Sequence, residues 1–599
     1  MRLTKPLVGL SVAGLFALAA CGGSDSAGPD STIDLEGTGA AGQDPTAQGP
    51  FTVDGAVEGG TVNIINASGS LSTSFDPRNI YYSDTISVFT GLITRSLTQF
   101  KTDPETGDQT LVPDLATDLG TSNDDFTQWT FTLKDGLMYE NGDPITSQDI
   151  AFTVSSSLDC DTFTDCPSNY LLGTLIGSDK LKSGAPDPDY VSGKKIVSGL
   201  ETPDDKTLIF NFSQPFPDLP AYAFFPLFSP MPSDDPKLTS PEDYENNILA
   251  SGPYKIDSWS PGKSLVLSRN DQWDAATDPA RTQYPDEYDF DTTYSDPKKV
   301  DAILAESRGD GANSLTYDEL DASDLSSFPA DQKVEGPQPL TRWLAPDYSK
   351  VPKEVREAIT WAYPYAAAAK TAGSIVGTNY IFTSNIMAPG TPGREVYNPI
   401  PDHEPGTTDA AKAKAILEES GNLGFELSWL YSTDDPLSVD VKDVVSEAYE
   451  AAGFKVKPYA TTTTQFTTDR SNPETPINVI SGAWLSDWPS GYSWIPPVYN
   501  PADPTLPCAD QTWPSFGVVN YARFCEDDVV EQIKETQALP LEDQPAAWQQ
   551  LEQYIQETYY PLIPLANGGT VQGHGTAIQG HLIDPTGGMP TWKIISIAQ

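Results

Sequence analysis

Apolar and polar residues alternate in several short runs along this chain. Gly60-Thr61-Val62-Asn63-Ile64-Ile65 alternates behind a glycine and predicts a strand, as do Trp129-Thr130-Phe131-Thr132-Leu133, Thr207-Leu208-Ile209-Phe210-Asn211-Phe212 and Ser264-Leu265-Val266-Leu267. Asn141-Gly142 supplies a turn ahead of a helix capped near Thr146 or Ser147, and another helix is expected from Asp84. Helical spacing dominates later, over residues 353–362, 409–420, 438–452 and 526–558, the last broken near Pro540. Strands separated by helices on this scale predict mixed α/β lobes, and a chain of 599 residues has room for roughly two to four folding units.

The N-terminus follows a different pattern. Arg2 and Lys5 precede a largely apolar run from Leu7 to Ala20, which closes on Leu18-Ala19-Ala20-Cys21. The run is too short to span a bilayer with margin, so residues 1–20 predict a cleaved export signal. The last four residues resemble the bacterial lipobox. That resemblance implies a diacylglyceryl group on Cys21 and a protein lipid-anchored to the cell membrane, facing the extracytoplasmic side. Residues 21–55 are rich in Gly, Ser, Ala, Asp and Pro and cannot offset the entropy of ordering, which predicts a flexible tether spanning roughly 30 Å.

Charge narrows the choice of partners. With 84 acidic against 35 basic residues and a net charge of −49, a sequence-independent grip on nucleic acid is excluded. A solvated acidic surface accounts for this charge; a field that draws in cationic ligands is the sharper alternative. Beyond Cys21, the four cysteines Cys160, Cys166, Cys508 and Cys525 allow three pairings, and their spacing in an exported chain favours Cys160 with Cys166 and Cys508 with Cys525.

Catalytic signatures are missing from the sequence. It has no Gly-x-Ser-x-Gly elbow, and Gly262-Lys263-Ser264 mimics a phosphate loop but has Asp257 in place of its first glycine. The three histidines, His403, His574 and His581, are scattered, so neither a metal nor a cofactor is expected, and an exported hydrolase using carboxylates is the weakest of the functional alternatives.

Several stretches in order along the chain resemble the family 5 solute-binding proteins, the oligopeptide- and dipeptide-binding class of ABC importers. Phe75-Asp76-Pro77, Pro113-Asp114-Leu115-Ala116, Trp129-Thr130-Phe131-Thr132-Leu133 and Gly142-Asp143-Pro144-Ile145-Thr146 carry the most specific part. Ser251-Gly252-Pro253-Tyr254, Ala451-Ala452-Gly453-Phe454 and Pro561-Leu562-Ile563-Pro564-Leu565 extend it towards the C-terminus. One departure is Tyr363-Pro364-Tyr365, where the family usually has Ile-Asp-Arg.

The resemblance implies a bilobal α/β fold of the type II periplasmic-binding-protein kind, with an extra domain and a ligand cleft between the lobes. Mapped here, the first lobe takes 56–95, 200–330 and 560–599, the added domain 96–199 and the second lobe 331–559. It also implies a monomer that binds a peptide and passes it to an ABC permease and its ATPase. A sugar, a metal chelate or another small solute is the sibling reading, and a sensing or adhesive surface lipoprotein without a transporter is a further one.

Family members that take peptides hold the free amine with a carboxylate from a Trp-x-x-Asp segment. Trp484-Leu485-Ser486-Asp487 matches it, which implies Asp487 as the amine's partner with Trp484, Trp488 and the nearby Trp494 as its aromatic surroundings. Tyr81 and Tyr82 fall in the segment that matches the opposite wall of the cleft and are candidates to stack on the ligand.

Overall fold

In the computed structural model, which describes residues 40–68, 74–178, 196–233, 244, 247–513 and 519–598, the alternation of Thr61–Ile65 becomes an inner strand of a five-stranded mixed sheet. Thr61–Ile65 runs parallel to Ser314–Leu315 and Glu287–Asp291; Ser264–Arg269 and Tyr254–Ser260 continue the sheet antiparallel. Its inward side chains, among them Val62, Ile64, Leu265, Leu267 and Phe290, are fully buried and form the core of the first lobe.

The added domain rests on a four-stranded antiparallel sheet in which Gln128–Thr132 pairs with Thr207–Asn211. The helix Ser147–Ser157 lies beside it and starts at the expected cap: Thr146 and Asp149 form a reciprocal capping box, with Thr146 N donating to Asp149 Oδ2 at 3.0 Å. The second lobe carries the helices Lys353–Ala362, Ala410–Glu419 and Pro436–Ala451 against a four-stranded sheet. Tyr363-Pro364-Tyr365, the departure from the family pattern, ends the first of these helices, and a short one restarts over Tyr365–Thr371.

Two long strands, Lys333–Pro346 and Ile563–Gly573, run antiparallel through both lobes. Their first halves pair from Lys333↔Gly573 to Gln338↔Gly568, and Val571 there packs with Ile65 and Leu304 of the first lobe. Their second halves pair from Thr341↔Asn567 to Leu344↔Ile563, packing Leu344 and Ile563 with Val355 and Ile359 of the second lobe. Between the halves Pro339 and Leu340 bulge out of the ladder with Ile563–Gly573.

Leu200–Glu201 and Thr207–Asn211 complete the added domain's sheet rather than the first lobe's, and Ile563–Gly573 also belongs to the second lobe's sheet. Part of the expected tether is ordered: Ala40–Gln43 forms an edge strand parallel to Gln109–Pro113, a pairing made by backbone hydrogen bonds that needs no apolar side chains. Residues 1–39, with the export signal and Cys21, lie outside the described residues. No helix of the described residues is long and apolar enough to cross a membrane.

Both favoured disulfides are present, Cys160–Cys166 with Cα atoms 4.9 Å apart and Cys508–Cys525 at 5.5 Å. Among the described residues no group of histidine, cysteine and carboxylate side chains is placed to hold a metal.

The Pro-Asp-Leu-Ala motif has a structural role. Asp114 is buried, accepts from Arg95 Nε at 2.7 Å and from Arg281 Nη2 at 2.8 Å, and Arg281 Nη1 also pairs with Asp278 at 3.0 Å. Burial opposes the charge on Asp278, yet the guanidiniums of Arg281 and Arg95 hold its carboxyl well below the usual range. This network pins the first-lobe loop around residue 280 to the start of the added domain.

Candidate functional site

Asp487 sits just beyond the edge strand Val479–Leu485 of the second lobe. Two hydrogen bonds fix its backbone position: Ser486 N donates to the carbonyl of the bulged Pro339 at 2.9 Å, and Asp487 N donates to Ser493 Oγ at 2.7 Å. Within the strand, a Cβ on Gly482 would lie 2.7 Å from Trp343 Nε1, so the Trp343 indole fills the space that a side chain there would need. The carboxylate is therefore carried at the point where the chain crosses between lobes.

Across the cleft, Tyr81 OH donates to Asp487 Oδ2 at 2.9 Å and Tyr170 OH donates to the same oxygen at 2.5 Å. Tyr81 follows the Asp-Pro turn of the first lobe, and Tyr170 follows the Cys160–Cys166 loop of the added domain. Burial is the largest influence on Asp487; it raises the pKa to about 7, against the two tyrosine hydroxyls, which favour the carboxylate. No cationic side chain among the described residues is paired with it.

Behind this contact lies a narrow cleft that opens to solvent. Leu485, Ser486 and Asp487 line it from the second lobe. Tyr81, Phe224, Phe225 and Trp592 give the facing wall an aromatic character, and Asp584 and Lys593 close its far side. Its lining is mostly apolar, with a few polar groups at fixed positions.

The structure separates the expected site residues. Asp487 and Tyr81 line the cleft together, whereas Trp488 and Trp494 lie in the core with no exposed surface. Trp488 still joins the lobes: its Nε1 donates to the buried Asp218 Oδ2 at 2.7 Å, and its ring packs 4.6 Å from that of Tyr170. Trp484 is partly buried and turns away, donating from Nε1 to the Ser493 carbonyl at 2.8 Å. Tyr82 points outward, 41% exposed, because successive residues of an extended segment face opposite ways. Sequence reasoning missed Tyr170, Phe224, Phe225, Trp592 and Lys593, none of which stands in a recognisable motif.

Comparison with known proteins places this architecture. The sequence profile described as bacterial extracellular solute-binding proteins, family 5, matches residues 110–505. The chain belongs to that family. It is accordingly a binding protein and not an enzyme, as the missing catalytic signatures led one to expect.

Among curated relatives, the periplasmic oligopeptide-binding protein of Salmonella typhimurium is 30% identical over 162 residues, 26% of this chain and 27% of that one. The probable D,D-dipeptide-binding periplasmic protein of Escherichia coli is 24% identical over 373 residues, 57% of this chain and 59% of that one. The chain thus matches from about a quarter to three fifths of these relatives' lengths. Among solved structures, a clavulanic acid biosynthesis oligopeptide-binding protein superposes with a TM-score of 0.77 at 22% identity, covering 94% of this chain and 99% of that one. At that identity the likeness shows the fold, which is the type II periplasmic-binding-protein fold expected from the sequence.

Proposed function

We propose that this family 5 protein captures a short peptide between its two lobes and delivers it to an ABC permease driven by its ATPase. One observation carries the reading: a desolvated carboxylate, Asp487, faces the cleft with only neutral tyrosine hydroxyls for partners. An ammonium entering the cleft gives that carboxylate the counter-ion it lacks, and Tyr81 and Tyr170 stay within reach to complete its shell. The relatives' names, which specify oligopeptides and dipeptides, support the same ligand class. In this reading the lobes close by bending Lys333–Pro346 and Ile563–Gly573 near their shared bulge.

Native mass spectrometry of the protein purified without denaturation is expected to show adducts of peptide mass. Adducts of saccharide or metal-chelate mass would move the ligand to another class.

The raised pKa sets a pH dependence. Below about 7 the empty cleft holds a proton on Asp487, and a bound ammonium lowers that pKa, so the proton must leave on binding. Affinity for a peptide with a free amine should then fall by up to about tenfold per pH unit below 7, and fall again above about 8 as the peptide's own ammonium loses its proton. Asp487→Asn should flatten the profile, and a parent profile flat from pH 5 to 8 would contradict the assignment.

Anchoring is proposed through a lipid on Cys21, since this acidic chain offers an anionic membrane surface little else to hold. Cys21→Ser is expected to shift the protein from the membrane to the soluble fraction. Continued membrane association with lipid label retained would refute the anchor.

A further inference from the structure

Both tyrosines that reach Asp487 are held by one small loop of the added domain. The Cys160–Cys166 disulfide joins residues six apart in sequence, just beyond the helix Ser147–Ser157. Inside the loop, Phe163 N donates to the Asp159 carbonyl at 2.9 Å and Cys166 N to the Phe163 carbonyl at 3.0 Å. Cys166 takes a left-handed backbone, with φ at 47°, a conformation that few residues other than glycine adopt, and the cross-link holds it there. From this turn the chain runs into Pro167-Ser168-Asn169-Tyr170.

That run is fixed at each step. Tyr222 OH donates to the Pro167 carbonyl, Ser168 Oγ to the Ser157 carbonyl at 2.6 Å, and Asn169 N to the Cys166 carbonyl at 3.1 Å. Tyr170 then packs its ring 5.5 Å from that of Tyr222 and 4.6 Å from that of Trp488, with its hydroxyl on Asp487 Oδ2. The loop reaches the second tyrosine as well. Asp165 N donates to Asn79 Oδ1 at 3.0 Å, and the Arg78 guanidinium lies 4.5 Å over the Phe163 ring. Asn79 stands two residues before Tyr81, whose hydroxyl accepts from Asn169 Nδ2 at 3.4 Å. None of residues 160–166 lines the cleft, so the loop acts on a ligand through these two hydroxyls.

We propose that the Cys160–Cys166 loop is a positioning element of the binding site, which fixes the hydroxyls of Tyr170 and Tyr81 on Asp487 before a ligand arrives. This rests on the reading of Asp487 as the carboxylate that takes the ligand's ammonium. A carboxylate oxygen accepts more than one hydrogen bond, so hydroxyls already in place remain as partners when the ammonium docks. A loop free to move has to be ordered at that moment, at a cost in affinity. The two donors also favour the ionised carboxylate against its burial, so freeing them raises the pH at which Asp487 takes up a proton. Tyr222, the further titratable group coupled to Asp487, stays neutral because burial raises its pKa well above the usual value.

The test is calorimetry on the full chain with a free-amine alanine tripeptide from pH 5 to 8. Cys160→Ser/Cys166→Ser is expected to weaken binding about three- to tenfold at pH 7.5 and to move the acid limb of the affinity profile to higher pH. Cys508→Ser/Cys525→Ser, which opens a disulfide whose cysteines line no part of the cleft, should leave that limb in place. In a Tyr81→Phe/Tyr170→Phe background, opening the Cys160–Cys166 disulfide should move the limb no further, because the hydroxyls it positions are gone. A full shift in that background, or an unmoved limb with both tyrosines present, overturns the proposal. If the cysteine variant fails to fold, Asn79→Ala takes its place: it keeps the disulfide and cuts the loop's bond to the Tyr81 segment, and an unmoved limb there also overturns the proposal. Hydrogen exchange on the unliganded protein needs no peptide. Opening the Cys160–Cys166 disulfide should speed exchange over residues 484–488 of the second lobe, and unchanged exchange there sinks this inference alone. No binding of any peptide by the parent sinks the peptide reading, and the exchange result then decides the positioning role by itself.

Discussion

Replacing Asp114 with alanine is expected to lower the unfolding free energy by about 3–5 kcal/mol, the range for removing one partner of a buried charge pair. The variant leaves Arg95 and Arg281, both buried, without the carboxylate that accepts from each. Arg281 keeps Asp278 at 3.0 Å, but Arg95 keeps only the distant Asp278 contact at 3.6 Å and its bonds to uncharged oxygens. The contrast is the pair between Lys206 and Asp135, whose side chains are 49% and 91% exposed; Asp135→Ala should be nearly neutral. Urea unfolding followed by tryptophan fluorescence separates the two. If Asp114→Ala unfolds at the parent's midpoint, the network is decoration and the Pro-Asp-Leu-Ala motif needs another explanation.

Asp487→Ala is expected to weaken the binding of a free-amine peptide by about 2–5 kcal/mol, roughly 30-fold or more in Kd. The alanine leaves the ligand's ammonium desolvated and unpaired, and it strips Tyr81 and Tyr170 of their common acceptor. Changing Trp488 should also weaken binding, by a different route: it removes the Asp218 bond and the ring contacts that hold the lobes in register. Titration followed by tryptophan fluorescence, with Asp487→Asn alongside, distinguishes them. The asparagine keeps the shape and the tyrosine partners but not the charge, so a loss close to that of alanine assigns the effect to the charge. Parent-like affinity in Asp487→Ala removes the residue from the site.

Much of the fold was legible because local rules and tertiary context agree. The strand at Thr61–Ile65 and the helices at Lys353–Ala362 and Pro436–Ala451 bury one face each, so their periodicity survives in the sequence. The helix cap at Thr146 was legible for the same reason, since a helix start is a local event. The two crossing strands were not. Pro337, Pro339 and Pro346 in one and Pro564, Gly568, Gly569 and Gly573 in the other erase the strand signal, and burial along the whole of Ile563–Gly573 removes the alternation that marks a half-exposed strand.

The site was legible only where a motif carries it. Trp484-Leu485-Ser486-Asp487 located the carboxylate, but spacing could not say which way the indoles turn. Three of the predicted aromatics, Trp484, Trp488 and Trp494, build or buttress the second lobe, because an indole beside a strand end gains more from burial than from waiting at a cleft. The aromatic wall comes instead from Phe224, Phe225 and Trp592, distant in sequence and brought together only by the discontinuous first lobe. Lys593 was invisible for the same reason: a single lysine near the C-terminus has no signature until the chain returns it to the cleft.

The most direct test of the account is calorimetry of the intact protein against matched short peptides with free and N-acetylated amines at pH 7.5. Capture of an ammonium by Asp487 predicts that the free peptides bind and that acetylation costs roughly 30-fold or more. Acetylated peptides binding as tightly as free ones would contradict it.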